Sequence, residues 1–255
     1  MTSGVPELPI QTLEALDGIG LTYLELGEGR PLVLLHGYLM TAHEAWVRTG
    51  IAERVAASGR RVIMPDLRGH GGSAPDDPAA YPRDILADDG FALLDRLGIT
   101  DYDLGGYSLG SVAVARMLVR GARPGRAVIC GSGLEPIVHW VGRGALYRHL
   151  LAEPGSAEPG SFEARTNAYL DRIGADRVAL GYLLDTFVNT PREALADIDV
   201  PVLLLFGDEE DETRGSVEDL AAAIPWATVR IVPGDHGSAP RSPEFVDALV
   251  EFLGD

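Results

Sequence analysis

The chain has 255 residues, 46% hydrophobic and 23% charged, the balance of a globular protein with room for a sizeable core. Its formal charge is −17, and none of its 21 basic residues is a lysine, so it is expected to repel nucleic acid phosphates and anionic membrane surfaces. A single cysteine, Cys130, excludes an internal disulfide and a cysteine-ligated metal. No apolar run approaches the roughly 20 residues of a membrane span, and no basic, then apolar leader opens the chain, so the expected location is cytoplasmic.

In chain order, Leu21–Leu26, Leu32–Leu35 and Arg61–Met64 read as strands, with a helix over 43–58 before the third and another over 82–98 after it. Tyr102–Gly105 reads as a strand feeding a helix over 109–120, and Ala127–Gly131 as the next strand. Residues 134–198 then break the rhythm: they hold helical patterns and no convincing strand. A loop-like stretch, Ala152–Ser161, lies in the middle, and Thr190-Pro191-Arg192-Glu193 has the pattern of a helix start. The alternation resumes with Val202–Phe206, a helix over 216–224, Val229–Val232 and a last helix over 243–253 opened by Ser242-Pro243. Continuously apolar runs such as Leu32-Val33-Leu34-Leu35 signal strands buried on both faces. They predict an α/β fold, a mostly parallel twisted sheet flanked by helices, with residues 134–198 inserted over one edge.

Gly106-Tyr107-Ser108-Leu109-Gly110 sits on the predicted strand-to-helix turn. A serine there is presented clear of the sheet at a helix N-terminus, the arrangement of a nucleophile elbow. Such a serine needs a base. Of six histidines, His236 follows the strand Val229–Val232 and the turn Pro233-Gly234-Asp235, which brings it to the sheet edge where Ser108 emerges. His36, His43 and His70 are read as structural, and Cys130 as a buried thiol. The base needs an acid, and the loop after Val202–Phe206 offers Asp208, Glu209, Glu210, Asp211 and Glu212, at least one of which should serve His236. An oxyanion needs two N–H donors: Leu109, directly after the nucleophile, and Tyr38, in the turn His36-Gly37-Tyr38.

These segments, together with Pro65-Asp66-Leu67-Arg68-Gly69-His70-Gly71-Gly72-Ser73 and Asp235-His236-Gly237, give the chain a resemblance to the α/β-hydrolase superfamily over essentially its full length. The resemblance implies a hydrolase core built from residues 1–133 and 199–255 with a helical cap over 134–198, and a purely structural role for the stretch 66–73. It also implies a triad of Ser108, an acid and His236. The superfamily's acid position falls on Glu210, but counting back from Gly215 suggests one inserted residue, which favours Asp211. The expected activity is hydrolysis of a small carboxylic ester or lactone without metal or organic cofactor. C–C bond hydrolysis, amidase, perhydrolase or lyase chemistry and a non-hydrolytic ligand-binding role stand as alternatives. The expected partner is a small-molecule substrate, the assembly a monomer or homodimer, and Trp140 and Phe187 of the cap are expected to face the substrate.

Overall fold

The computed structural model describes residues 7–140, 144–210 and 215–254. Eight strands form one sheet: β1 (Gln11–Glu14), β2 (Gly20–Leu26), β3 (Arg30–Leu35), β4 (Arg60–Pro65), β5 (Asp103–Tyr107), β6 (Ala127–Cys130), β7 (Val202–Gly207) and β8 (Ala227–Val232). Their spatial order is β1-β2-β4-β3-β5-β6-β7-β8. The hairpin β1–β2 joins β4 antiparallel, and β4, β3, β5, β6, β7 and β8 run parallel. β5, β6 and β7 are buried at every position, as their continuous apolar runs predict. Because these strands are parallel, the loops after β3, β5, β7 and β8 gather at one edge.

Helices α1 (Ile51–Ala57), α2 (Ile85–Arg96), α3 (Leu109–Val119), α8 (Val217–Ala223) and α9 (Pro243–Gly254) cover the two faces. Between β6 and β7 lie α4 (Leu134–Val138), α5 (Ala145–Ala152), α6 (Phe162–Ile173) and α7 (Arg177–Leu183), followed by a short 3-10 helix at Arg192–Asp197. The expected helix over 43–58 is two pieces. A π-helical turn, His43–Val47, is separated from α1 by Gly50, whose φ of 76° no regular helix accommodates.

The stretch after β4 is a brace, as the resemblance implied. Asp66 accepts from the Ala42 amide at 2.8 Å and from the Thr22 hydroxyl at 2.9 Å. Arg68 is fully buried. It donates to Asp89 of α2 at 2.7 and 2.9 Å, to Asp17 in the β1–β2 turn and to the Ala80 carbonyl at 2.6 Å. A buried guanidinium is tolerated only when its donors are met in this way.

Candidate active site

Ser108 lies between β5 and α3 with φ 53° and ψ −113°, a conformation that a residue with a side chain adopts only under constraint. The constraint is local crowding. A Cβ on Gly106 would lie 2.3 Å from the Gly110 carbonyl carbon, and one on Gly110 would lie 2.0 Å from the Leu35 oxygen. The two motif glycines therefore let α3 close onto the sheet, and the serine is turned outward. The Ser108 amide donates to the Cys130 carbonyl at 2.8 Å, and Ser132 Oγ donates to the Ser108 carbonyl at 3.1 Å.

His236 follows β8, and its ring meets a carboxylate. Glu210 Oε2 lies 3.0 Å and Oε1 3.3 Å from Nδ1. The Glu210 side chain is 2% exposed, that of His236 23%. An acceptor at Nδ1 places the imidazole proton there and leaves the Nε2 lone pair free. The loops carrying these two groups are tied together. Asp208 accepts from the Gly234 amide at 2.8 Å, and the Glu209 amide donates to the Gly234 carbonyl at 3.1 Å. Asp235 accepts from the Gly237 and Ser238 amides and from the Ser238 hydroxyl, which hold its carboxyl below the usual range. Of the acidic run, then, Asp208 ties the two loops, Glu209 lines the cavity described below and Glu210 reaches His236. Asp211, which the residue count favoured for this contact, lies outside the described residues.

The turn after β3 stands over Ser108: a Cβ on Gly37 would be 3.5 Å from Ser108 Cβ. Two buried histidines hold this turn from beneath. His36 Nδ1 donates to the Gly37 carbonyl at 2.8 Å, while its Nε2 accepts from the Leu67 amide at 2.9 Å. His70 Nε2 accepts from the Leu39 amide at 3.2 Å, while its Nδ1 faces the Arg68 carbonyl at 3.2 Å. Each ring is thus committed to the neutral form with its proton on Nδ1. Burial pushes His36 down to about 4, and burial with the neighbouring His36 pushes His70 down to about 3. Tyr38 OH donates to the Leu180 carbonyl of α7 at 2.8 Å, pinning the turn to the insert. Leu109 is the first residue of α3, so its N–H has no acceptor one helical turn back.

A cavity of about 460 Å³ opens beside Ser108 and His236, walled by Tyr38, Trp46, Trp140, Tyr147 and Phe162 among others. Trp46 comes from the π-helical turn, the last three from the insert. Phe187, expected to face the substrate, is not among the lining residues. Its ring packs against Trp140 with centroids 4.6 Å apart. The chain after α7 turns back toward the core, where the Thr186 carbonyl accepts from the Asp84 amide at 2.7 Å, and this carries Phe187 behind the wall. Residue-by-residue reading also missed Tyr107, whose ring stacks on His236 at 5.0 Å and 29°; its place beside Ser108 was the available signal. Cys130 is buried, and burial with the nearby Glu210 charge pushes its thiol up, so it stays protonated and unreactive. Among the described residues no group of three or more His, Cys, Asp or Glu side chains could hold a metal ion, and no helix is long and apolar enough to cross a membrane.

Residues 32–249 match the model of the alpha/beta hydrolase family. The chain belongs to this family. A non-heme chloroperoxidase, CPO-A1 of Kitasatospora aureofaciens, is 34% identical over 279 aligned positions that cover 96% of this chain and 99% of that protein. A non-heme haloperoxidase of Rhodococcus erythropolis is 27% identical, with 94% and 97% covered. Among solved structures, the esterase RhEst1 of a Rhodococcus species superposes with a TM-score of 0.74 at 25% identity, covering 96% of this chain and 98% of its own. As an alpha/beta hydrolase the chain has the eight-stranded, mostly parallel sheet flanked by helices described above, and the family assignment makes it an enzyme.

Proposed function

We propose that this alpha/beta hydrolase is a serine hydrolase of small carboxylic esters or lactones, with Ser108 as nucleophile, His236 as base and Glu210, rather than Asp211, as the acid. The observation that carries the reading is the buried Glu210 carboxylate on His236 Nδ1, with Ser108 and His236 lining one cavity. Ser108 Oγ attacks the carbonyl as His236 Nε2 takes its proton. The Tyr38 and Leu109 amides are assigned to the oxyanion, beside the positive end of α3. His236 then returns the proton to the leaving alcohol, and water releases the acid from the acyl-enzyme by the same steps in reverse order. Glu210 holds the tautomer and stabilises the transient imidazolium.

In this reading residues 134–198 act as a cap on a core of 1–133 and 199–255, and Trp140 faces the acyl or alcohol chain of the substrate. The aromatic walls favour apolar substituents with few polar contacts. The resemblance to two non-heme haloperoxidases favours a second reading, in which hydrogen peroxide replaces water at the acyl-enzyme and a peroxy acid leaves. A fluorophosphonate probe followed by peptide mass spectrometry tests the first reading. Label on Ser108, lost in Ser108→Ala, is expected, and an unlabelled wild-type protein overturns it. Turnover of one ester with and without added peroxide separates the two readings.

A further inference from the structure

We propose that Tyr107, the residue before the nucleophile, is a positioning residue that fixes the orientation of His236; this rests on the hydrolase reading of Ser108, His236 and Glu210. Its phenol donates to the His236 carbonyl at 2.5 Å. Its ring lies over the imidazole at 29° with centroids 5.0 Å apart. The same phenol oxygen is 3.4 Å from Nδ1. The phenol has one proton, and the carbonyl takes it. Nδ1 keeps its own proton for Glu210, so the phenol oxygen can meet that N–H only as a weak additional acceptor. The contacts therefore act at two levels, fixing the backbone of the base loop and the plane of the ring.

The need for such a brace follows from the sheet order. His236 hangs from β8, the edge strand, whose Arg230 and Ile231 are exposed. Tyr107 ends β5, which is fully buried and carries the nucleophile. The brace thus references the base to the strand that positions Ser108, bypassing the less supported edge. Space for it is reserved. Gly131 sits at φ 63°, and a Cβ there would lie 3.0 Å from two Tyr107 ring carbons and 3.1 Å from His236 Cε1. On its other side the Tyr107 ring meets Phe245 of α9 edge-on, with centroids 6.1 Å apart. Glu210 sets which nitrogen carries the proton; Tyr107 sets where the other nitrogen points.

The test compares Tyr107→Phe with Phe245→Leu in the full chain, by ester kinetics, fluorophosphonate acylation rate, thermal midpoint and the imidazole N–H resonance. Tyr107→Phe keeps the ring, so it is expected to fold. Its kcat should fall about ten-fold with KM within about two-fold, acylation should slow in proportion, and the Nδ1 proton signal should broaden. Phe245→Leu should lower the midpoint while kcat stays within about two-fold. Two results overturn the role: Tyr107→Phe acylating at the wild-type rate, or Phe245→Leu losing as much kcat as Tyr107→Phe. A wild-type protein that the probe does not label overturns the hydrolase reading and this proposal together.

Discussion

The two sides of the cavity are built by different means. On the core side, His36, His70 and Glu210 are buried, and each of their hydrogen-bonding groups named above has a specific partner. On the insert side, α7 and the chain after it accept hydrogen bonds from Tyr38 and Asp84. The polar ties of α6 and α5, which carry Phe162 and Tyr147 of the wall, include Arg172 on Glu44 at 3.0 Å and Arg148 on Asp185 at 2.6 Å, with both arginines about half exposed. Buried satisfied groups are expensive to disturb, whereas exposed ion pairs contribute little. The lesson is that, under the proposed function, the core fixes the chemistry while the far wall of the cavity can change more cheaply.

That contrast can be broken most directly at Ser108, the proposed nucleophile. Ser108→Ala should reduce turnover of an activated ester by about 10⁴-fold or more, since such residues act as a unit. Activity near wild type, once contaminating esterase is excluded, would dissolve the core half of the comparison. Glu210→Gln should cost about 10³- to 10⁴-fold in kcat through the wrong tautomer, and Asp211→Asn only a few-fold. The reverse ranking, measured on the same ester, would return the acid to Asp211.

The wall offers a paired test. Phe187→Ala should lower stability by about 3 kcal/mol in a denaturant titration and leave the acyl-chain profile unchanged. Trp140→Ala should also cost stability, because Trp140 is buried, but it alone should broaden the profile toward longer chains. The same change of profile in both variants would mean that wall and backing are not separable.

The buried histidines predict a smaller effect, in pH. The unfolded chain binds protons at His36 and His70 below the ordinary imidazole value of 6.5, while the folded chain does so only near about 4 and about 3. Stability is therefore full above 6.5 and is lost as pH falls. Asp89, raised to about 6 by burial despite Arg68, works the other way, gaining stability as pH falls from about 6 toward 3.8. Two histidines against one carboxylate leave a net loss of about 1.4 kcal/mol per pH unit between roughly pH 6 and 4, readable from urea midpoints. A flat dependence there, or a rise, would show that the rings are not held neutral. The smallest effect is expected at the insert: Arg172→Gln should leave stability unchanged within error, and a clear loss in the same titration would make this ion pair structural.

Much of this was legible in the sequence. Seven strands and the turn at Ser108 announce themselves through apolar runs and through the glycines that the close α3 approach requires. β1 was not, because Gln11-Thr12-Leu13-Glu14 is a mostly exposed edge strand with no apolar signal. The break at Gly50 was hidden, since a lone glycine inside a helical pattern does not declare its φ. Glu210 and Asp211 are neighbours of one chemical type, and residue type alone does not tell which of them reaches His236. Phe187 and Trp140 are both apolar and both buried, so composition could not separate wall from backing.

The backbone at Ser108 has a consequence for how such a protein can be improved. A serine at φ 53° holds a conformation that costs on the order of 1–3 kcal/mol. Glycine there would relieve that strain, offset by roughly 0.5–1 kcal/mol of extra chain entropy. A selection or design scheme that rewards thermal resistance alone would therefore drift toward Ser108→Gly, and under the proposed mechanism its winners would have lost their nucleophile. Any campaign to harden this enzyme has to screen for turnover at the same time.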